Sequence, residues 1–170
     1  EMNARWNVTP KFSIVMTAQD GIKNALADYT TGRNYAIDFK WLKTSLSYQP
    51  STNFRITLDS RIASKNNMIQ IAGETCTIKD LGSTFKYNQT DKGSLQGSFK
   101  LLKIDFIGIE NSAVGFEMLE ALRPGMNYTW NIGYQKTVSK NLQLTIQYLG
   151  RKSENTRMIH SGGMELRAFF

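Results

Sequence analysis

Residues 164–170, which read MELRAFF, decide the fold class because apolar and charged side chains alternate along them. The apolar side chains fall on one face of an extended chain: Met164, Leu166, Ala168 and Phe170. Glu165 and Arg167 fall on the opposite face. Side chains in a β-strand alternate between the two faces of a sheet, so this pattern predicts a strand that ends on an aromatic residue.

The same alternation recurs upstream and predicts an all-β chain. It is clearest in residues 127–138, where the large apolar side chains share one face: Tyr128, Trp130, Ile132 and Tyr134. Residues 142–148 and 54–62 repeat the pattern. We expect eight strands between Lys11 and Phe170, and a short additional strand within residues 1–7.

Two of the expected strands are irregular. The apolar positions change face between Trp41 and Leu42, and again between Leu101 and Leu102. One inserted residue in a strand shifts the alternation by one position. The sequence therefore predicts a β-bulge at each of these two places.

The terminal strand resembles the C-terminal signal strand of bacterial outer-membrane β-barrels, which end on Phe. Residues 116–130, 150–152 and 164–170 are similar to C-terminal barrel segments of large surface or export proteins of Gram-negative bacteria. The resemblance implies an antiparallel transmembrane β-barrel in the outer membrane, with eight to nine strands here. It also implies contact with the lipid bilayer, the barrel-assembly machinery and other envelope proteins. The assembly signal would comprise the apolar positions of the last strand: Met164, Leu166, Ala168 and Phe170.

The connections between the expected strands alternate between two kinds. Those after Tyr48, Tyr87 and Tyr134 are short, whereas residues 20–33 and 108–125 are longer, and outer-membrane barrels pair short periplasmic turns with longer outer loops. Residues 108–125 read as a long outer loop with a short helix. We interpret residues 1–170 as a single β-barrel domain or a C-terminal barrel segment, and the ninth strand favours the segment.

Composition narrows the functional classes. The chain carries a net charge of +7, but its Lys and Arg residues are spread along the strands, so we expect no nucleic-acid partner. A single cysteine, Cys76, and a single histidine, His160, do not suit a metal site, and no cofactor is expected. A soluble β-sandwich or lipocalin-like binding module remains an alternative, because a second sheet could bury the apolar face.

Catalytic candidates are few. His160 and Ser161 lie near Glu165, but adjacent strand residues point to opposite faces, so we expect no nucleophile–base pair and no enzymatic activity. Glu117 and Glu120 are expected on the solvated side of the short helix, opposite Val114 and Met118.

The polar face carries the remaining functional prediction. If the apolar face contacts lipid, several polar residues would line a lumen: Arg55, Asp59, Arg61, Gln143, Gln147, Arg151 and Arg167. A wide barrel would leave them in water with a mild preference for anionic solutes, and a narrow one would pack them into a polar network. The predicted function is that of a porin-like channel, a translocation component or an anchor.

Overall fold

The computed structural model describes residues 1–26, 34–69, 73–89 and 92–169. It contains nine strands and one short helix, α1 (Ala113–Met118), between the sixth and seventh strands. The strands are β1 (Met2–Thr9), β2 (Phe12–Ala25), β3 (Tyr35–Ser51), β4 (Phe54–Asn67), β5 (Thr75–Gln89), β6 (Gly93–Ile107), β7 (Gly125–Ser139), β8 (Leu142–Ser153) and β9 (Ile159–Ala168). The predicted all-β character is confirmed, and the short segment near the N-terminus forms a strand. No helix among the described residues is long and apolar enough to span a bilayer.

The strands form one antiparallel sheet in which each strand pairs with its neighbours in sequence. β1 pairs with β2 and β9 pairs with β8, but the two outer strands do not pair with each other. The sheet is therefore open and is not closed into a barrel.

The two faces of the sheet differ in chemistry. We call the face that carries α1 the inner face and the opposite one the outer face. The outer face holds a row of large apolar side chains in cross-strand register: Trp6, Ile14, Leu46, Leu58, Phe99 and Trp130. The inner face is polar near the short turns and apolar beneath α1.

The two predicted β-bulges are wrong. β3 pairs with β2 and β4 in continuous register through Trp41 and Leu42, and β6 does so with β5 and β7 through Leu101 and Leu102. The apolar positions change face because α1 covers the inner face at this end of the sheet. Trp41 and Leu102 pack in the cluster around α1, whereas Leu42 lies on the outer face.

Aromatic side chains mark the outer face near the short turns. Phe54 pairs with Tyr87, Tyr87 pairs with Leu95, and Leu95 pairs with Tyr134. Tyr48 lies one pair away, opposite Ile56. The three tyrosines expected near the short connections therefore lie in adjoining rows on one face.

Five strands of the sheet contact the region around α1. The loop that carries α1, residues 108–124, contacts β2 through Lys23 and packs in one cluster with Ile104 of β6. Five neighbouring strands span about 19 Å at a spacing of about 4.8 Å, whereas a helix with its side chains is about 10–12 Å wide. The long side chains of Lys23 and Glu117 extend the reach of the short helix to β2.

Candidate functional site

The candidate site is the inner face together with the loop of residues 108–124, called the α1 loop below. Ser112 begins the helix, because its hydroxyl accepts a hydrogen bond of 2.8 Å from the Gly115 amide. The helix then buries an apolar side against the sheet, and its cluster comprises Ile37, Ala63, Cys76, Ile78, Leu102, Ile104, Val114, Met118 and Leu119. Met118 is 0% exposed and is the centre of this contact.

Glu120 fixes the end of the helix to β4. Its carboxylate accepts hydrogen bonds from Arg61 Nη2 at 2.8 Å, from Arg61 Nη1 at 3.1 Å and from Lys65 Nζ at 2.9 Å. Arg61 also donates to Asp80 on β5 at 2.5 Å. The expectation that Glu120 lies on a solvated side of the helix is wrong, because it bridges two cations of the inner face.

The backbone around Glu120 is strained. Glu120 and Ala121 have φ values of 54° and 60°, in the left-handed region that residues with a Cβ seldom adopt. Such a conformation costs free energy and persists where the surroundings impose it. The contacts from Arg61 and Lys65 supply the compensating stabilisation.

The same contacts change the acidity of Glu120. Burial alone would raise the pKa of its carboxyl, but the hydrogen bonds and positive charges of Arg61 and Lys65 outweigh burial and lower the pKa to about 2. Glu120 is therefore ionised above about pH 2 while the α1 loop is in place.

Further polar contacts hold the loop at other points. Lys23 on β2 forms an ion pair of 2.5 Å with Glu117. The Met118 carbonyl accepts hydrogen bonds from Lys65 Nζ at 3.0 Å and from the Cys76 thiol at 3.5 Å. Cys76 is 1% exposed beneath this carbonyl, so the loop covers the only cysteine of the chain.

Asn127 holds the return of the loop into β7. Its side-chain amide donates to the carbonyls of Arg123 at 2.7 Å and of Gly125 at 3.2 Å, and the residue is 0% exposed. Its side-chain oxygen is buried without a hydrogen-bond partner among the described residues. The loop is thus held at its helix, at Glu120 and at its return into β7.

The structure places the seven polar residues predicted to line a lumen on the inner face. Arg55, Asp59 and Arg61 lie on β4, whereas the others lie on β8 and β9: Gln143, Gln147, Arg151 and Arg167. The two groups are separated by three strands and make no contact with each other. Asp59 pairs with Lys43 at 3.3 Å, and Arg167 pairs with Glu165 at 2.7 Å.

The apolar residues of the last strand lie on the outer face. Met164 pairs with Ile146, Leu166 pairs with Leu144, and Ala168 pairs with Leu142. Phe170 lies outside the described residues.

His160 and Ser161 lie on opposite faces of β9. His160 is on the outer face, where its Nδ1 is 2.7 Å from the Tyr148 hydroxyl and its ring contacts Trp130 edge to face. Ser161 pairs with Leu149 on the inner face. The structure therefore does not bring a nucleophile and a base together at this position. Across the described residues, no group of three or more His, Cys, Asp or Glu side chains could hold a metal ion.

Comparison of the chain with protein-family models, with curated proteins and with solved structures finds no match.

Sequence reasoning missed the contribution of Lys65, Lys86 and Lys100 to the inner face. A strict period-two register places all three on the same face as Arg61. The part of this face that the α1 loop covers does have a signal in the sequence. The apolar positions change face at Trp41 and at Leu101, and this change marks where the loop packs.

Proposed function

We propose that this chain forms part of an outer-membrane β-barrel protein that acts as a non-enzymatic channel, translocation or anchoring element. One observation carries the proposal: the outer face carries a band of exposed apolar side chains, with charged residues such as Lys40 and Lys79 toward the α1 end, whereas the inner face is polar near the short turns and holds a docked loop. A transmembrane barrel has this arrangement, with its apolar side chains toward lipid and its polar ones toward the lumen.

The exposure of the outer face is extensive. Leu58 on β4 is 47% exposed, Leu81 on β5 is 57% exposed and Met164 on β9 is 75% exposed. Large contiguous apolar surfaces on a folded protein mark contact with a membrane or with another protein. Aromatic side chains near the short turns fit the interfacial girdle of such a barrel.

The β-sandwich alternative has less support. A sandwich buries its apolar face against a second sheet about 10 Å away. No second sheet is present among the described residues, and the single helix packs on the inner face. In aqueous solution, a separate partner would be needed to cover the outer face.

The proposal requires further strands. A bilayer offers no hydrogen-bond partners to backbone groups, so the free edges of β1 and β9 must pair when the sheet is in a membrane. We propose that they pair with additional strands of a larger barrel. In this arrangement Met164, Leu166, Ala168 and Phe170 form the assembly signal that the barrel-assembly machinery recognises.

The first test is the electrophoretic mobility of the native protein from the cell envelope, compared in SDS gels with and without boiling. A shift on boiling is the expected result, because closed barrels resist SDS until they are heated. The mass of the boiled band gives the size of the whole protein. No shift, together with solubility in the absence of detergent, would refute the membrane proposal and favour a soluble binding module.

A second test compares a charge on each face. Leu58→Lys places a cation on the outer face, and Thr84→Lys places one on the inner face, at an exposed position one row away. A lipid-facing Lys at mid-depth costs about 2–4 kcal/mol, whereas a lumen-facing one costs little. We expect Leu58→Lys, made in the whole native protein in which the edges of β1 and β9 are paired, to reduce insertion into phospholipid vesicles in a flotation assay. Thr84→Lys in the same protein should leave insertion unchanged. Equal insertion of the two variants would contradict the assignment of the faces.

A further inference from the structure

The inner face carries far more positive than negative charge. Ten cations lie on the inner face of the described strands: Arg5, Lys23, Lys43, Arg55, Arg61, Lys65, Lys86, Lys100, Arg151 and Arg167. Asp59, Asp80 and Glu165 face the same way from the strands, Glu74 does so directly before β5, and the α1 loop adds Glu117 and Glu120. The ten cations therefore outnumber these six carboxylates.

Five of the six carboxylates are used in ion pairs, and the buried Glu74 accepts a hydrogen bond from the Asn67 side chain. Glu117 and Glu120 bind cations beneath the α1 loop, and Asp80 binds Arg61. Asp59 binds Lys43, and Glu165 binds Arg167. Five inner-face cations consequently have no carboxylate partner in the part of the chain that the structure describes: Arg5, Arg55, Lys86, Lys100 and Arg151.

These five cations lie in two rows between the α1 loop and the short turns. Arg5, Lys100 and Arg151 belong to one row of cross-strand partners that also contains Asp59. Arg55 and Lys86 face each other directly in the second row. The rows are four residues apart along each strand, which corresponds to about 13 Å.

Hydroxyl groups fill the row between them. Five consecutive cross-strand partners in that row are Ser or Thr: Ser13, Ser47, Thr57, Thr84 and Ser98. A groove of about 630 Å³ on this part of the face is lined by Arg5, Lys11 and Arg55, and no Asp or Glu lines it. A second groove of about 480 Å³ is lined by Lys100 and Arg151, also without a carboxylate.

The Arg55–Lys86 pair is unfavourable without an anion. Like charges directly opposite each other on neighbouring strands destabilise a sheet, and their Cβ atoms are about 5 Å apart. The Arg55 guanidinium is oriented by Gln49, whose side-chain oxygen accepts hydrogen bonds from Nε at 3.1 Å and from Nη2 at 2.6 Å. An oriented guanidinium with a lysine directly opposite it and hydroxyl groups beside them matches the oxygens of a phosphate group.

We infer that the inner face between the α1 loop and the short turns binds soluble phosphate-bearing anions, with Arg55 and Lys86 as the principal contacts. This inference deepens the proposed function, on which its location in a lumen depends. It names the solute class that a channel or translocation element of this type would accept.

The test is a titration of the full chain, folded in micelles of a non-ionic detergent, with inorganic pyrophosphate by isothermal calorimetry. We expect binding that weakens as NaCl is raised, because salt screens exposed charges. Lys86→Gln and Arg55→Gln should each weaken binding about tenfold or more, and Lys86→Arg should retain it. Circular dichroism checks that each variant keeps its strand content.

Lys79→Gln is the matched control. Lys79 lies on the same strand as Lys86 but on the outer face, where it is exposed. Its removal lowers the net charge equally and should leave pyrophosphate affinity within about twofold. An equal loss in Lys79→Gln and Lys86→Gln would overturn the site, and so would the absence of binding to the unaltered chain.

Two further arms separate the sources of failure. Displacement of pyrophosphate by phosphatidylglycerol mixed into the micelles would overturn the assignment to a soluble anion. Flotation of the whole native protein, with the further strands of the proposed barrel, tests the membrane proposal by itself. Insertion without pyrophosphate binding would refute only the anion site, whereas pyrophosphate binding without insertion would refute the barrel and leave the anion site in place.

Discussion

Removing the charge of Glu120 should release the α1 loop, and Cys76 can report that release. In Glu120→Gln the side chain keeps its size but loses the ionised oxygens that bind Arg61 and Lys65. The loss of stabilising free energy follows from the shift in the pKa of the Glu120 carboxyl. A pKa of about 2 in place of the ordinary 4.5 corresponds to roughly 3 kcal/mol.

Solvent reduces this value. The Glu120 side chain is 33% exposed, so part of its attraction to the two cations is screened. We therefore expect about 1.5 kcal/mol of lost loop stability. At about 1.4 kcal/mol for each factor of ten, this loss raises the population of the undocked loop roughly tenfold.

The assay is the rate at which a thiol reagent labels Cys76 in the folded chain. Cys76 is covered by Met118, so the reagent reaches it when the loop undocks, and the rate follows the undocked population if redocking is fast. Glu165→Gln is the control, because it removes a carboxylate from an exposed ion pair that does not hold the loop. The expected result is a rate about ten times higher in Glu120→Gln and an unchanged rate in Glu165→Gln. Equal rates in all three proteins would show that the Glu120 contacts do not hold the loop.

Three more predictions concern the same fold. Because docking lowers the pKa of Glu120, the stabilisation of the docked loop is complete above about pH 4.5 and is lost as the pH falls toward 2. The rate of Cys76 labelling by dithiodipyridine, normalised to the urea-unfolded chain at each pH, should therefore rise over that range in the unaltered chain. The rise should be smaller in Glu120→Gln. Met118→Ala removes the fully buried centre of the loop contact and should lower the free energy of unfolding by about 2–5 kcal/mol, measured by urea unfolding in micelles. A decrease below about 0.5 kcal/mol would contradict the packing described. Gly150→Ala places a Cβ against the Trp130 indole, so it should lower the free energy of unfolding by about 1–3 kcal/mol and change the near-ultraviolet circular dichroism. Gly163 has open space around it, so Gly163→Ala should change neither quantity.

The sequence was sufficient to predict the strands, because period-two alternation depends on only a few neighbouring residues. It placed Arg55, Arg61 and Arg151 on one face, and the cross-strand register places them there as well. Because side chains alternate between the two faces of a strand, the face of every residue is known once one of them has been assigned.

The position of the α1 loop could not be predicted in the same way. Glu120 and Arg61 are 59 residues apart, and nothing near either residue indicates the other. The change of apolar face at Trp41 was visible, but a local irregularity explained it equally well. A bulge in the strand and a regular strand whose inner side is apolar under a loop give the same sequence pattern. Only the packing of the α1 loop distinguishes them.

The strand order has a consequence for how the molecule folds. Each strand pairs with the next strand in sequence, so the sheet can grow by successive hairpins whose contacts are short in sequence. The α1 loop differs, since Lys23 and Glu117 are 94 residues apart and its binding surface needs β2 to β6 already aligned. We therefore expect docking of the loop to be a late step, and we expect protection of Cys76 during refolding to mark the moment when β2 to β6 are aligned.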